Sequence, residues 1–349
     1  MASSSDISAR VKFRGAISGF GEVAASAHLP GWVSRPETGI LAIHDPISER
    51  RHAAIRLIKN VRVYDRLDLM LAGEAPDFVD IASPPPFHAA CARQVLGAGA
   101  HVLVEKPICL TLAEFDELRT LAAKQGRILM CVHNWKYAPP YAAARAAIDS
   151  GRLGAIRHVS LSRLRTAPAG AGASGGAWRS NSASGGGILI DHGWHIFYLM
   201  QWLMGAEAPL AVSAYLSTAA GAGAEDVADL RVRFRAERIA TAHLSWRAPV
   251  RRTSAVIYGE KAIIEIEGDR ILLTERTGST HDLSVPDIPD DSYHSAWFGG
   301  MAAEFAAAMA SGPGSRPAQQ NLAEARVALA LTIAARQSAA ESGVEVALP

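Results

Sequence analysis

The sequence predicts an α/β chain in two parts: a parallel sheet with helices on both faces, then a large, mostly antiparallel sheet packed on helices. Three observations carry this. From residue 11 to about 134, short apolar runs alternate with helical patterns, the signature of strand–helix–strand units. A turn, Gly19-Phe20-Gly21, joins the first apolar run to a helical segment. Beyond Asn134 the alternation gives way to strand-like segments joined by short turns, which suits antiparallel pairing.

Val11–Ser18 reads as the first strand, with a helical segment following through Ala25. Ile40–His44 and Phe78–Ala82 are further strands; Phe87–Leu96 is helical and His101–Val104 extended. Thr111-Leu112-Ala113-Glu114 forms a capping box, opening a helix that ends near Gly126. Ile128–His133 closes the series.

After a helix at about 139–150 and a strand over Ala155–Arg165 comes a long Gly/Ala/Ser stretch, 166–187. A loop of this length is functional or disordered. It holds Trp178 and Arg179 and runs into the next helix, near 190–204, so a mobile flap over a substrate site is expected. Six strands follow at 209–217, 228–235, 239–247, 253–258, 261–267 and 269–274. Leu230, Val232 and Phe234 alternate with Arg231 and Arg233, as on a strand with one buried face. Helical patterns at 295–310 and 320–341 end the chain. Two domains are expected, 1–134 and 135–349.

Composition narrows the function. The formal net charge is +1, with 49% hydrophobic and 20% charged residues, and no basic run suggests nucleic acid or membrane as a partner. Three scattered cysteines, Cys91, Cys109 and Cys131, make neither a disulfide framework nor a zinc spacing. The beginning, MASSSDISAR, lacks an apolar leader core, and no apolar stretch reaches a bilayer-spanning length. A cytoplasmic protein with reduced thiols is expected.

Gly19-Phe20-Gly21-Glu22-Val23-Ala24 fits G-x-G-x-x-A after a strand and at a helix start. The first glycine permits a tight turn, and the second lets a pyrophosphate approach the backbone and the helix's positive end. Asp45 stands 26 residues after Gly19, at the end of the second strand. A carboxylate there can accept from both ribose hydroxyls and repel a 2′-phosphate, which favours NAD. Arg50 and Arg51 leave NADP open. Ser83 and Pro84 begin a proline-stiffened loop suited to wall a nicotinamide. His88 has two open readings, a cofactor contact or a helix cap.

Lysine is scarce, six of 35 basic residues, and Lys106 lies in Glu105-Lys106-Pro107 at the end of an apolar strand. Open α/β sheets bind ligands at that end. Lys106 can bond a substrate oxygen and stabilise developing negative charge, with Glu105 pairing with it or orienting the cofactor. A surface ion pair is the plainer reading. Asp191 and His195 are spaced i, i+4 and share a helix face. A histidine exchanges protons near neutrality, and Asp191 could orient it. A capping Asp and a core His are the alternatives. A metal site of Asp191, His192 and His195 is weaker, because adjacent helical residues diverge; no metal is expected.

With these residues in order, the chain resembles the Gfo/Idh/MocA family, the glucose–fructose oxidoreductase and inositol dehydrogenase relatives, over nearly its whole length. The similarity rests on Gly19-Phe20-Gly21, Asp45-Pro46, Glu105-Lys106-Pro107, Trp178-Arg179, Gly185-Gly186-Gly187 and Asp191-x-Gly193-x-His195, with Glu304-Phe305 and the closing SAAESGVEVAL. The resemblance implies a Rossmann domain followed by an α+β domain whose open sheet face pairs with another subunit in a homodimer or homotetramer. It implies a cofactor site of Gly19, Phe20, Gly21, Glu22, Val23, Asp45, Ser83, Pro84, His88, Glu105, Lys106, Trp178 and Arg179. It also implies catalysis by Lys106, Asp191 and His195: oxidation of a secondary alcohol on a sugar, cyclitol or related polyol. His195 would take the hydroxyl proton while Lys106 holds the oxygen and Asp191 positions substrate or histidine.

One departure concerns the helix, where relatives often carry Asp three residues after the histidine and this chain has Tyr198. The substrate pocket is expected from 166–187 and 191–204, with Tyr137 or His294. Two other functions compete with the dehydrogenase. One is an enzyme holding NAD tightly through a net non-redox elimination or hydrolysis. The other is a dinucleotide-sensing regulator without catalysis.

Overall fold

In a computed structural model the described residues are 12–169, 177–205, 207–219, 223–285 and 294–349. The chain packs as two compact units, one of Met1–Tyr137 with Pro289–Ala325, the other of Ala138–Ile288 with Arg326–Pro349. The return of 289–325 to the first unit was not foreseen by a boundary at 134.

Among the described residues the first unit is built on six parallel strands: β1 (Phe13–Ser18), β2 (Thr38–His44), β3 (Arg62–Tyr64), β4 (Phe78–Ile81), β5 (His101–Val104) and β6 (Leu129–Cys131). Their order, β3-β2-β1-β4-β5-β6, reverses direction between β1 and β4, which is where such sheets open a ligand crevice. β1 meets both β2 and β4, so the Gly19 turn at its end lies at that reversal. The expected strands are present; β3, three residues on the sheet edge, was not predicted.

The helix after the Gly19 turn runs past its expected end. A π-helical segment, Ala24–His28, passes into α-helix at Leu29–Val33. Pro30 lacks an N–H to continue the ordinary ladder, and a π-turn beside it accommodates the gap. This helix buries Trp32 against Phe78 and Phe305, with ring centroids 4.7 and 6.2 Å away. The capping box is present: Thr111 Oγ1 accepts from Glu114 N at 3.1 Å, and Glu114 Oε2 accepts from Thr111 N at 3.0 Å. That helix, Leu112–Gln125, ends on Gly126 at φ 61°, a left-handed cap that glycine adopts freely.

Among the described residues the second unit carries nine strands: β7 (Ile156–Leu164), β8 (Ala211–Ser217), β9 (Val227–Arg233), β10 (Ile239–Ser245), β11 (Arg252–Gly259), β12 (Ala262–Glu267), β13 (Arg270–Glu275), β14 (Thr280–Asp282) and β15 (Val346–Ala347). Their order is β14-β13-β12-β11-β7-β10-β9-β8-β15. All neighbours run antiparallel except β7 and β10, so the mostly antiparallel expectation holds. Ala228, Leu230 and Val232 of β9 are buried while Asp229, Arg231 and Arg233 face outward. The helix Trp194–Leu203 is buried around nearly its whole circumference. Among the described residues no helix is long and apolar enough to cross a membrane.

Candidate active site

On the first unit the two glycines of the turn have different reasons. Gly19 sits at φ 91°, and a Cβ there would stand 2.6 Å from the Ser83 amide nitrogen. The β1 turn and the β4 loop therefore touch backbone to backbone, which no side chain permits. Gly21 is open: a Cβ there would find only the Arg50 guanidinium carbon, 4.0 Å away. That is the vacant approach a phosphate needs beside the start of a helix.

Asp45 is fully buried. Its Oδ2 accepts from the Phe20 N–H at 2.8 Å and its Oδ1 from the Ile47 N–H at 2.8 Å, with Arg50 Nη1 at 3.5 Å. The carboxylate thus fastens the glycine turn, a role the sequence reading did not include. The Phe20 ring packs in the core, while Glu22 and Val23 are exposed on the first helical turn. Arg51 donates to the carbonyls of Asp45 and Pro46.

His88 is wholly buried, with Nε2 2.6 Å from the Ser83 carbonyl and Nδ1 2.6 Å from the Pro107 carbonyl. Burial is the largest influence and lowers its proton affinity, opposed by those two carbonyls. The ring ties the Ser83-Pro84 loop to the Glu-Lys-Pro turn from behind. The Lys106–Pro107 peptide is cis.

Glu105 receives a partner that sequence reasoning missed. His28, 1% exposed, places Nε2 3.0 Å from Glu105 Oε1 and Nδ1 2.9 Å from Asp80 Oδ2. It stacks on Phe298 at 3.9 Å, and Trp32 Nε1 donates to the same Asp80 oxygen at 2.7 Å. Burial opposes the charge, but Asp80 and then Glu105 outweigh it and push the imidazole up to about 10. Glu105 is held below the usual carboxylate range: burial opposes its charge, and His28 and Lys106 overcome that. The other Glu105 oxygen accepts from Lys106 N at 3.0 Å. Nothing in the sequence marked His28, which lies past the helix end expected at Ala25 and 52 and 77 residues from its two partners.

Tyr137 and His294, expected near a pocket, also belong to this unit. Tyr137 bonds Glu304, and His294 stacks on Trp297 at 3.6 Å. Close by in the chain, Lys136 pairs with the buried Glu324, which also takes His133 Nδ1 at 3.3 Å.

On the second unit, glycines again permit a close turn. A Cβ on Gly186 would lie 2.3 Å from the Trp178 carbonyl, and one on Gly187 (φ 110°) would lie 2.1 Å from the Glu225 carboxyl. Arg336 donates to the Gly186 carbonyl and to Glu225 at 2.7 and 2.8 Å. Trp178 and Arg179 are thereby brought to the helix start. Arg179 lies over the Trp178 ring at 4.6 Å, and its Nε is 3.1 Å from Asp191 Oδ1. Of the expected flap, residues 170–176 lie outside the described residues; 177–184 holds two short 3-10 turns.

Asp191 does not sit on an ordinary α-helix. Leu189–Gly193 is π-helical, and α-helix begins at Trp194. Trp246 Nε1 donates to His192 Nδ1 at 3.0 Å. An indole N–H can only donate, so that nitrogen carries no proton. The 3.4 Å approach of His192 Nδ1 to Asp191 Oδ2 is then a contact of two acceptors and not an ion pair. His195, 8% exposed, places Nδ1 2.8 Å from the hydroxyl of the buried Tyr198. Among the described residues, no group of three or more His, Cys, Asp or Glu side chains could hold a metal ion.

Two family models match the chain. One, described as an oxidoreductase family with an NAD-binding Rossmann fold, covers residues 13–133, and the GFO/IDH/MocA C-terminal domain covers 141–265. D-glucoside 3-dehydrogenase of Escherichia coli K12 is 30% identical over 203 residues, 58% of this chain and 57% of that enzyme. The chain spans 42% and 41% of two uncharacterised oxidoreductases of Schizosaccharomyces pombe, so it covers about half the length of these curated relatives. Among solved structures, GenD2 from gentamicin A biosynthesis, in complex with NAD, superposes with TM-score 0.82 at 24% identity, over 97% of each chain. Levoglucosan dehydrogenase with NADH and levoglucosan gives 0.83 at 20% identity, over 97% of this chain and 99% of that one. These likenesses establish the shared fold.

Proposed function

The chain belongs to the Gfo/Idh/MocA oxidoreductase family, and from that premise we propose that it oxidises a secondary alcohol of a sugar, cyclitol or related polyol, or reduces the ketone, with NAD. The observation that carries this is the pair of glycines at the β1 turn. Gly19 lets two backbones meet, and Gly21 leaves the space a dinucleotide phosphate would fill. The D-glucoside 3-dehydrogenase relative and the NAD and NADH complexes of the structural neighbours support the same reading.

The residues fit the cofactor. Gly19 to Val23 would hold its pyrophosphate, with Asp45 fastening that turn from below. Ser83 and Pro84, backed by His88, would wall the nicotinamide, and Glu105, Lys106, Trp178 and Arg179 complete the proposed set. Bound there, NAD supplies a hydride acceptor at its nicotinamide C4. His195 takes the hydroxyl proton, so that proton and hydride leave together and the alcohol becomes a ketone. Lys106 bonds the same oxygen and stabilises its negative charge, and Asp191, set by Arg179, positions the substrate.

Within this proposal residues 1–134 serve the cofactor and 135–349 serve substrate binding and self-association. A cytoplasmic homodimer or homotetramer belongs to the same reading. The outward face of the second sheet, where Tyr215 is 65% exposed, supports the self-association alone.

The test follows absorbance at 340 nm for the protein with NAD or NADP against inositols, sugars, sugar acids and their phosphates. NADH growth with one compound identifies the reaction. Silence across the panel with NAD still bound contradicts it and favours a non-redox enzyme or a sensor.

A further inference from the structure

The second unit gathers arginines where three strand ends meet the Asp191 helix. β7 ends at Leu164, and Arg165 N donates to the Ser245 carbonyl at the end of β10 at 2.8 Å. The next residue on β10's side, Trp246, bonds His192. From the start of β11, Thr253 Oγ1 accepts from Arg163 and lies 3.5 Å from both terminal nitrogens of Arg165. Arg165 Nη1 also donates to the Leu164 carbonyl at 2.6 Å. The guanidinium of Arg165 is thus fixed on one side and partly buried.

Among the described residues no acid pairs with Arg165 directly, and Asp191 acts on it only from beyond ion-pair distance. Nearby arginines have such partners: Arg179 pairs with Asp191, Arg247 with Asp226 and Arg252 with Glu267. Among the described residues, no carboxylate stands within ion-pair distance of Arg165 or Arg251. Burial and the neighbouring Arg251 charge push Arg165 down to about 10, against Asp191 and Tyr141. Tyr141 shifts the opposite way, pushed up by burial and drawn only partly back by Arg165. Holding a cation half out of water beside a second cation is costly unless an anion completes the site.

Resting on the dehydrogenase reading above, we propose that the hydroxyl compound taken by this site carries an oxyanion, a carboxylate or a phosphate, seated on Arg165 with Arg251 as the second cation. The planar guanidinium fork matches both groups. Arg179, already joined to Asp191, is left to set that acid. The ligand class is therefore a sugar acid or a sugar or cyclitol phosphate, and not a neutral polyol.

The test uses matched pairs with NAD at 340 nm: glucose against gluconate, glucuronate and glucose 6-phosphate, and myo-inositol against its monophosphate. The anionic member is expected to show kcat/KM about tenfold or more above the neutral one. Arg165→Gln should raise KM for that anion by a similar factor with kcat little changed, and Arg165→Lys should restore part of the loss. Arg251→Gln, at an exposed position, should give a smaller rise without disturbing the fold. Whether acids or phosphates respond tells carboxylate from phosphate. Equal turnover of neutral members, indifferent to Arg165→Gln, overturns the proposal and leaves the dehydrogenase intact. If no compound reduces NAD, the dehydrogenase reading fails, and the melting point of the NAD-saturated protein decides the anion site separately. A rise with anions alone, absent in Arg165→Gln, supports the site; no anion-specific rise overturns it.

Discussion

The Tyr198 hydroxyl lies 2.8 Å from Nδ1 of His195, one turn along a helix buried on nearly every side. Where the family resemblance leads one to expect a carboxylate, this chain has a phenol. A hydroxyl can accept from Nδ1–H, leaving Nε2 with the lone pair a base needs, or donate to Nδ1, leaving Nε2–H as an acid. In the proposed dehydrogenase this one hydroxyl would therefore suit His195 to act as base or as acid.

Tyr198→Phe should lower kcat about tenfold with little change in KM, because the imidazole loses the group that sets its tautomer. Tyr198→Asp should move the acid limb of the kcat/KM profile to higher pH, since a neighbouring carboxylate favours the charged ring. An unmoved profile in both variants would remove Tyr198 from the chemistry.

His28 links stability to pH. Its imidazole titrates near 10 in the fold against an ordinary 6.5, so the native state binds the extra proton between those values. Its contribution is complete below 6.5, declines as pH rises, and is gone above about 10. His28→Gln should flatten that decline in urea midpoints measured from pH 6.5 to 10. The variant should also be less stable at pH 7, because Asp80 and Glu105 lose their shared cation.

The two turn glycines should separate. Gly19→Ala meets the Ser83 backbone at 2.6 Å and a positive φ, so the melting point should fall by several degrees. Gly21→Ala enters open space and should leave the melting point near wild type while weakening NAD binding at least tenfold. Calorimetry with an NAD titration checks both; equal NAD affinity in Gly21→Ala would place the phosphates elsewhere.

Asp45→Ala should weaken NAD binding and relax discrimination against NADP, while loosening the turn whose Phe20 and Ile47 N–H groups it holds. If the preference for NAD persists, the ribose is read by another side chain, with Arg50 the first to examine.

Much of this molecule was legible in its residues. Apolar runs such as Phe78–Ile81 and His101–Val104 marked central parallel strands because both their faces are covered. Arg-Val-Tyr at 62–64 carried no such run, since an edge strand of three residues buries little. The capping box at Thr111 is local chemistry and was readable as such. The π-helical turn at Leu189–Gly193 was not, because its register depends on Gly187 fitting against Glu225, 38 residues away. For the same reason His28, joined to Asp80 and Glu105 across 52 and 77 residues, was invisible until the sheet brought them together. Arg165 likewise looked like one of many scattered arginines.

The most direct test follows NADH at 340 nm in wild type, Lys106→Ala and His195→Ala with the same polyol panel, with NAD affinity measured in each. The account predicts a rising signal in wild type, loss of most turnover in both variants, and NAD bound by all three. Turnover near wild type in either variant, or NAD bound with no NADH formed by any protein, would contradict it.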